Sequence, residues 1–261
     1  MRIPFSLLIL CFLVSDSFAQ FKKIKSISVN EEIVSSSVDR PGDLYVTTDR
    51  GQILKYDSEG ILKFVFKNNP SPTLFDPHDG ARMFAYYRKN RKYEYLNPSF
   101  ESTAVYSIDS AFIIDPWLSC LSGDYNLWLV DASDGSLKKV NTKLGQVEVD
   151  VKINDTIKAE DINYMREYQG FVFVLIRNVG IAIFNSMGKQ IKTIGNKNIT
   201  SFNFLGEELY YLQNDRLMFL DLFSTESREM KLPSAANFAI LTDERLYLIT
   251  GKTIDIFKSN L

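Results

Sequence analysis

The stretch Leu44–Gly60, LYVTTDRGQILKYDSEG, decides how the chain is read. Leu44, Tyr45 and Val46 open a short run rich in β-branched and aromatic residues. Thr47–Gly51 is a polar turn that ends on glycine. Ile53–Tyr56 is a second apolar run, Asp57–Gly60 a second turn, and Leu62–Phe66 a third run. Each run is too short for a helix and is bounded by turn formers, so the stretch predicts strand, turn, strand, turn, strand. A lone meander of this kind cannot bury its faces and needs copies of itself.

The copies are present. LYVTT at Leu44 recurs as MFAYY at Met83, LWLVD at Leu127, VFVLI at Val172, LYYLQ at Leu209 and LYLIT at Leu246, at intervals of 37 to 45 residues. The second position is aromatic each time: Tyr45, Phe84, Trp128, Phe173, Tyr210 and Tyr247. A turn and a further apolar run follow each copy, starting near Ile53, Tyr93, Leu137, Ile181, Leu217 and Ile254. Repeats of roughly 40 residues with several strands each predict an all-β, six-bladed β-propeller with four strands per blade. The repeated aromatic is expected to fill the space between one blade and the next.

The blade phrase at Leu44–Gly60 resembles that of six-bladed propellers of the NHL and TolB-like kind. The resemblance extends over essentially all of the chain beyond residue 19, and it is most like small exported propellers of Bacteroidota bacteria. It implies a fold and not a chemistry, because such propellers host hydrolases, lyases, receptors and scaffolds. Some propellers of those bacteria accompany outer-membrane or secretion machinery, which implies an envelope protein as partner.

Composition narrows the rest. The chain has 261 residues, a net charge of −2 and 24% charged residues, which gives no global field suited to nucleic acid or a membrane surface. Arg2 followed by the apolar run Ile3–Val14 and by Ser17-Phe18-Ala19 reads as a cleaved signal peptide over residues 1–19. That run is too short to span a bilayer. Cys11 lies inside it and follows Leu10, not the small residue that a lipid-anchor signal requires. Residues 20–261 are then a single propeller domain, exported to the periplasm or beyond and expected to be monomeric. Cys120 is the one cysteine left after cleavage, so no internal disulfide forms, and the thiol is expected in the core.

Phe21–Val29 reads as a strand with no blade of its own, while the last blade has only three runs, Phe238–Leu241, Leu246–Ile249 and Ile254–Phe257. The N-terminal strand is therefore expected to supply the outer strand of blade six and close the ring, removing an unpaired edge. Inner strands are expected at Ile33–Val38, Thr73–Phe75, Ile162–Met165 and Ile199–Leu205.

Two sets of residues are candidates for function. The second-to-third-strand turns carry Arg50; Arg88, Lys89, Arg91 and Lys92; Arg177; Arg216; and Lys252, while blade three has Asp131 and Asp134. With Tyr86, Tyr87, Tyr93 and Tyr95 read as exposed neighbours, this ring would hold an acidic partner. The partner-binding set is Arg50, Tyr87, Arg88, Lys89, Arg91, Lys92, Arg177 and Arg216. The plain alternative is a solvated turn. The second set is implied by the resemblance to metal-dependent hydrolases, which place Glu, Asp and Asn around a calcium ion at the inner mouth. Glu32, Asp76, Asp115, Asn163, Asn203 and Asn237 offer that chemistry, with Asp76, Asp115, Asn163 and Asn203 as the candidate ligands. Their unequal offsets from the aromatic strands argue against one ring at one depth.

His78, the single histidine, lies in Asp76-Pro77-His78-Asp79 and reads as structural. Asp115-Pro116 repeats the Asp-Pro pair, which suggests a shared backbone feature in neighbouring inner strands. No zinc-type histidine pair, phosphate-cradling glycine loop or nucleophile elbow is present. The sequence therefore favours a non-catalytic protein-binding scaffold of the envelope. A calcium-dependent hydrolase or lyase at the channel mouth, and a glycan or small-molecule receptor, are the alternatives.

Overall fold

The structure, a computed structural model, describes residues 21–259 except 155 and 225. Met1–Ala19, read above as a signal peptide, lies outside the described residues. Six four-stranded antiparallel sheets stand around a central channel. Blade one is β2 (Ile33–Val38), β3 (Leu44–Thr48), β4 (Gln52–Tyr56) and β5 (Leu62–Lys67). Blade two is β6 (Leu74–Asp76), β7 (Met83–Tyr87), β8 (Lys92–Leu96) and β9 (Ser102–Ser107). Blade three is β10 (Pro116–Leu121), β11 (Leu127–Asp131), β12 (Ser136–Asn141) and β13 (Gln146–Lys152). Blade four is β14 (Ile162–Tyr168), β15 (Phe171–Ile176), β16 (Gly180–Asn185) and β17 (Gln190–Gly195). Blade five is β18 (Phe202–Leu205), β19 (Glu208–Gln213), β20 (Arg216–Asp221) and β21 (Ser227–Lys231). Blade six is β22 (Phe238–Leu241), β23 (Arg245–Thr250) and β24 (Thr253–Lys258), completed by β1 (Lys22–Ser28).

The expected closure is present, with β1 as the outer strand of blade six. Ser28 pairs with Thr253, Ile27 with Ile254 and Lys22 with Lys258. A bulge between Lys23 and Lys25 turns Ile24 outward, and Lys23 and Ser26 both bond Asp255, at 2.8 and 2.6 Å. Charged and hydroxyl side chains on an outer strand keep the rim in water and discourage edge pairing.

The repeated aromatic does one job six times. Tyr45 packs on Phe75 of blade two, with ring centroids 5.7 Å apart. Phe84 shares a cluster with Leu118 and Leu127 of blade three. Trp128 donates from Nε1 to Glu167 of blade four at 2.6 Å. Phe173 meets Phe204 of blade five at 4.8 Å. The Tyr210 hydroxyl accepts from the Leu241 amide of blade six at 2.9 Å, and the Tyr247 hydroxyl reaches the Gly42 carbonyl of blade one at 3.2 Å. All six rings are buried. Each fully buried aromatic contributes about 1.5–3 kcal/mol by transfer alone. The second strand of every blade thus carries the packing to its neighbour around the whole ring.

Two local expectations are corrected. β18 starts at Phe202, not Ile199; Ile199 is still buried, in the loop that precedes the strand. The two Asp-Pro pairs are not equivalent. Asp76-Pro77 ends β6 and Asp115-Pro116 starts β10. Proline lacks the amide that a ladder needs, so it marks a strand boundary at either end. Asp76 and Asp115 consequently lie at opposite ends of their inner strands.

Candidate functional site

The face where each chain segment enters its blade also carries the second-to-third-strand turns, and is called the upper face here. At its centre is a cavity of about 440 Å³, walled by inner strands of blades one, two, four, five and six. Ser35, Ser37, Thr47, Thr73 and Ser201 give it hydroxyls, while Phe75 and Tyr164 give it aromatic surface. A cavity of about 180 Å³ at the lower face is lined by Asp39, Arg40, His78, Tyr168 and Asp243. Arg166 and Asn203 line both, and so form the waist between them.

Arg166 comes from β14, where Tyr164, Arg166 and Tyr168 alternate on the side facing blade five. Tyr168 stacks on Phe204 at 4.1 Å, and Arg166 donates from Nη1 to Asn203 Oδ1 at 3.0 Å. Its Nε lies 3.9 Å from Asp76 of blade two, across the channel. Burial works against the guanidinium charge, but the Asp76 carboxylate together with Tyr164 and Tyr168 outweighs it, and the group is held above its ordinary value. On the opposite side of β14, Glu167 accepts from Ser122, Gly123 and Trp128 of blade three. One strand therefore ties three blades together through adjacent charges.

His78 stands at the lower mouth. Its Nε2 accepts from Arg40 Nε at 3.4 Å, and its amide bonds Asp76 Oδ1 at 2.9 Å. Burial, then the Arg166 charge, push the imidazole down to about 4 against the partial compensation of Asp76. The ring is neutral at pH 7 and its contacts are those of a structural acceptor, as the sequence suggested. Cys120 is buried, and burial raises its thiol well above the ordinary range, which makes it a core residue.

The calcium set is not assembled. Asp76 and Asn203 meet at the waist, where a guanidinium already supplies the positive charge. Asp115 faces Arg88 at 3.5 Å and Asn163 faces Arg177 at 3.5 Å, both away from the waist. The residues do not fit one calcium ion, and among the described residues no group of three or more acidic, histidine or cysteine ligands gathers.

The basic turns do share the upper face, but most of their charge is committed within the protein. Arg91 donates to the Ile113 and Ile114 carbonyls at 2.8 and 2.7 Å, pinning the link into blade three. Arg88 lies over the Trp117 ring at 3.6 Å. Arg177 donates to the Glu160 carbonyl at 2.9 Å, and Lys252 to the Asn30 carbonyl at 3.1 Å. Arg50 approaches Glu31 at 3.8 Å, Arg216 pairs with Glu229, and Lys92 sits over the Tyr87 ring at 4.7 Å. Lys89 has no hydrogen bond or ion pair among the described residues and is exposed.

The tyrosines beside this cluster correct the sequence reading. Tyr86 and Tyr87 are buried, because β7 lies between two neighbouring blades. The Tyr86 hydroxyl donates to the Pro116 carbonyl and that of Tyr87 to Glu94, with Asn68 donating back to Tyr87 at 2.9 Å. Tyr87 is therefore not available to a partner. Tyr93 and Tyr95 are also largely buried. Blade three, which lacks a basic turn, brings its cation from β12: Lys138 lies 3.0 Å from Asp131 and 3.3 Å from Asp134.

Sequence reasoning missed Arg166. Its signal was a cation in the middle of an inner strand, alternating with Tyr164 and Tyr168.

No protein-family model matches the chain, and no curated protein matches it in sequence. Solved structures do resemble it. Virginiamycin B lyase from Staphylococcus aureus superposes with a TM-score of 0.57 at 10% identity, over 92% of this chain and 99% of that one. The extracellular domain of a putative one-component system from B. thetaiotaomicron gives 0.52 at 14% identity, over 87% of this chain and 33% of the longer one. A streptogramin B lyase gives 0.53 at 12% identity, over 93% and 88%. At these identities the likeness is one of fold.

Proposed function

We propose that this protein is an exported, non-catalytic binding platform of the cell envelope, akin to the small exported propellers of Bacteroidota, and that it docks another protein on its upper face. One observation carries the reading. Around the upper cavity, apolar side chains stand in solvent beside cations that are locked to neighbouring blades. Ile114 is 71% exposed and Val34 49% exposed. The Ile114 carbonyl is held by Arg91, next to the Arg88–Trp117 stack and the unpaired Lys89. A rigid surface of mixed apolar and cationic groups loses little freedom on binding, which is the condition for a docking face. The partner is then an apolar patch with acidic borders, on an envelope protein such as an outer-membrane or secretion component. The lower face also exposes Leu144, Met187 and Phe223, but on outer turns away from its mouth, where His78 is neutral and hydrogen-bonded to Arg40.

The test uses the tagged protein as bait in an envelope extract. Lys89→Glu with Ile114→Asp is expected to reduce capture of the leading partner at least tenfold while leaving the melting temperature unchanged. Equal capture by the variant overturns the reading. These two positions are preferred to Arg88 and Arg91, whose removal would also loosen the turns.

A further inference from the structure

A second cavity lies away from the channel, between blades two and three, with a volume of about 720 Å³. That is within the range that encloses a small ligand. Tyr93 and Tyr95 form its floor, and Tyr106 and Tyr125 its more exposed rim. Tyr93 and Tyr106 stack at 5.1 Å, and Tyr95 stands edge-on to both, 6.0 Å from each.

Arg82 is at the centre of this arrangement. Its guanidinium is sandwiched between the rings of Tyr95 and Tyr125, 4.4 Å from each centroid. The two rings cover much of the cation and leave its N–H groups for hydrogen bonding. Nη2 is buried and has no hydrogen-bond partner among the described residues. A buried donor without an acceptor is an uncompensated desolvation, and it is rare enough to require a reason. Tyr125 adds a separate anomaly. It occupies a turn with φ of 66°, a left-handed conformation that glycine or asparagine adopts more easily than an aromatic. The ring is 55% exposed, so core packing does not explain it. Its position over Arg82 does.

We propose that this groove binds an acidic saccharide, with the uronate carboxylate on the part of the Arg82 guanidinium that lines the groove and pyranose rings against the tyrosines. The planar fork of a guanidinium matches a carboxylate with two parallel hydrogen bonds. The apolar C–H face of a pyranose lies flat on an aromatic ring, and its hydroxyls find partners in the phenols and in Thr142. Lys143 also lines the groove and adds positive charge, while Asp109 lines it too and disfavours a second carboxylate near its own position. Charge thus favours one anionic group and a neutral remainder. The site is separate from the upper face, so it stands or falls independently of protein docking there.

Calorimetric titration tests it, using as probes trimers that carry one galacturonate, glucuronate or mannuronate beside two neutral hexoses. Binding of at least one is expected, weakened at least tenfold when its carboxyl is reduced to an alcohol. Arg82→Gln and Tyr125→Ala are each expected to weaken it at least tenfold, with Arg82→Lys intermediate. Near-ultraviolet circular dichroism and the melting temperature establish that the variants fold; if Arg82→Gln does not, Tyr125→Ala and the reduced trimer carry the decision. An acidic tripeptide that binds while the trimers do not overturns the proposal. So do equal affinities for native and reduced trimers, or no binding of any trimer up to about 1 mM, the weak end of specific recognition.

Discussion

The two ends of the channel share a wall and little else. Above Arg166 and Asn203 the cavity is broad and hydroxyl-lined, and its rim cations are fastened to neighbouring blades. Below them the cavity is less than half the size, and charged side chains crowd into it: Arg40 on His78, and Asp39 bound by Tyr45 and approached by Lys55. At the lower mouth Asp39 and His78 are held by neighbouring side chains, whereas the upper mouth leaves apolar side chains in solvent and Lys89 without a partner among the described residues.

Deleting Phe21–Asn30 should have the largest effect. It unpairs β24 and opens the ring that both mouths depend on, a loss comparable to a domain's whole stability of about 5–15 kcal/mol. A truncated protein that melts like the parent would show that the closing strand is dispensable. Arg166→Met comes next. It removes the shared wall and leaves Asp76 without its cation, at a cost of about 3–5 kcal/mol in urea denaturation. A smaller loss would mean that the waist is not a structural divide.

Acid titration separates the two ends by pH window. His78 binds its proton at about 4 when folded and at its ordinary 6.5 when unfolded. Between those values the unfolded chain holds more protons, so stability is complete above about pH 6.5 and declines as pH falls toward 4. His78→Gln should remove that part of the slope. On the upper face, burial works against ionisation of Asp131, but hydrogen bonds from Ser133, the Asp115 amide and Lys138 prevail and hold its carboxyl far below 3.8. Its contribution is present above 3.8 and lost only in stronger acid. Ser36→Ala is the mildest change. The Ser36 hydroxyl is buried in the upper wall without a partner, so its removal should shift stability by less than about 1 kcal/mol, and in the stabilising direction.

The ring was legible in the sequence because one residue type performs one task at every repeat. Tyr45, Phe84, Trp128, Phe173, Tyr210 and Tyr247 could be aligned without coordinates, and the three-strand final blade pointed to β1. The mouths were less legible, because their contacts join residues that no local pattern connects. Asp76 meets Arg166 from the far side of the channel. Tyr86 and Tyr87 sit next to a run of cations and resemble surface residues in one dimension, yet β7 is enclosed on both sides by neighbouring blades. The Asp76 and Asp115 pairs looked alike until the strand ends showed one proline at a finish and the other at a beginning. Arg82 and Tyr125 were not singled out at all, since 43 residues separate them and only the packing of blades two and three lays one upon the other.

Ser26 is bonded to Asp255, 229 positions further along. On the ribosome the strand that emerges first is matched last, and the nascent chain must carry it single until β24 has been made. A message cut short between codons 232 and 252 would yield five complete blades and an unmatched β1. Quality control that recognises such a strand would in effect be checking that the ring had closed.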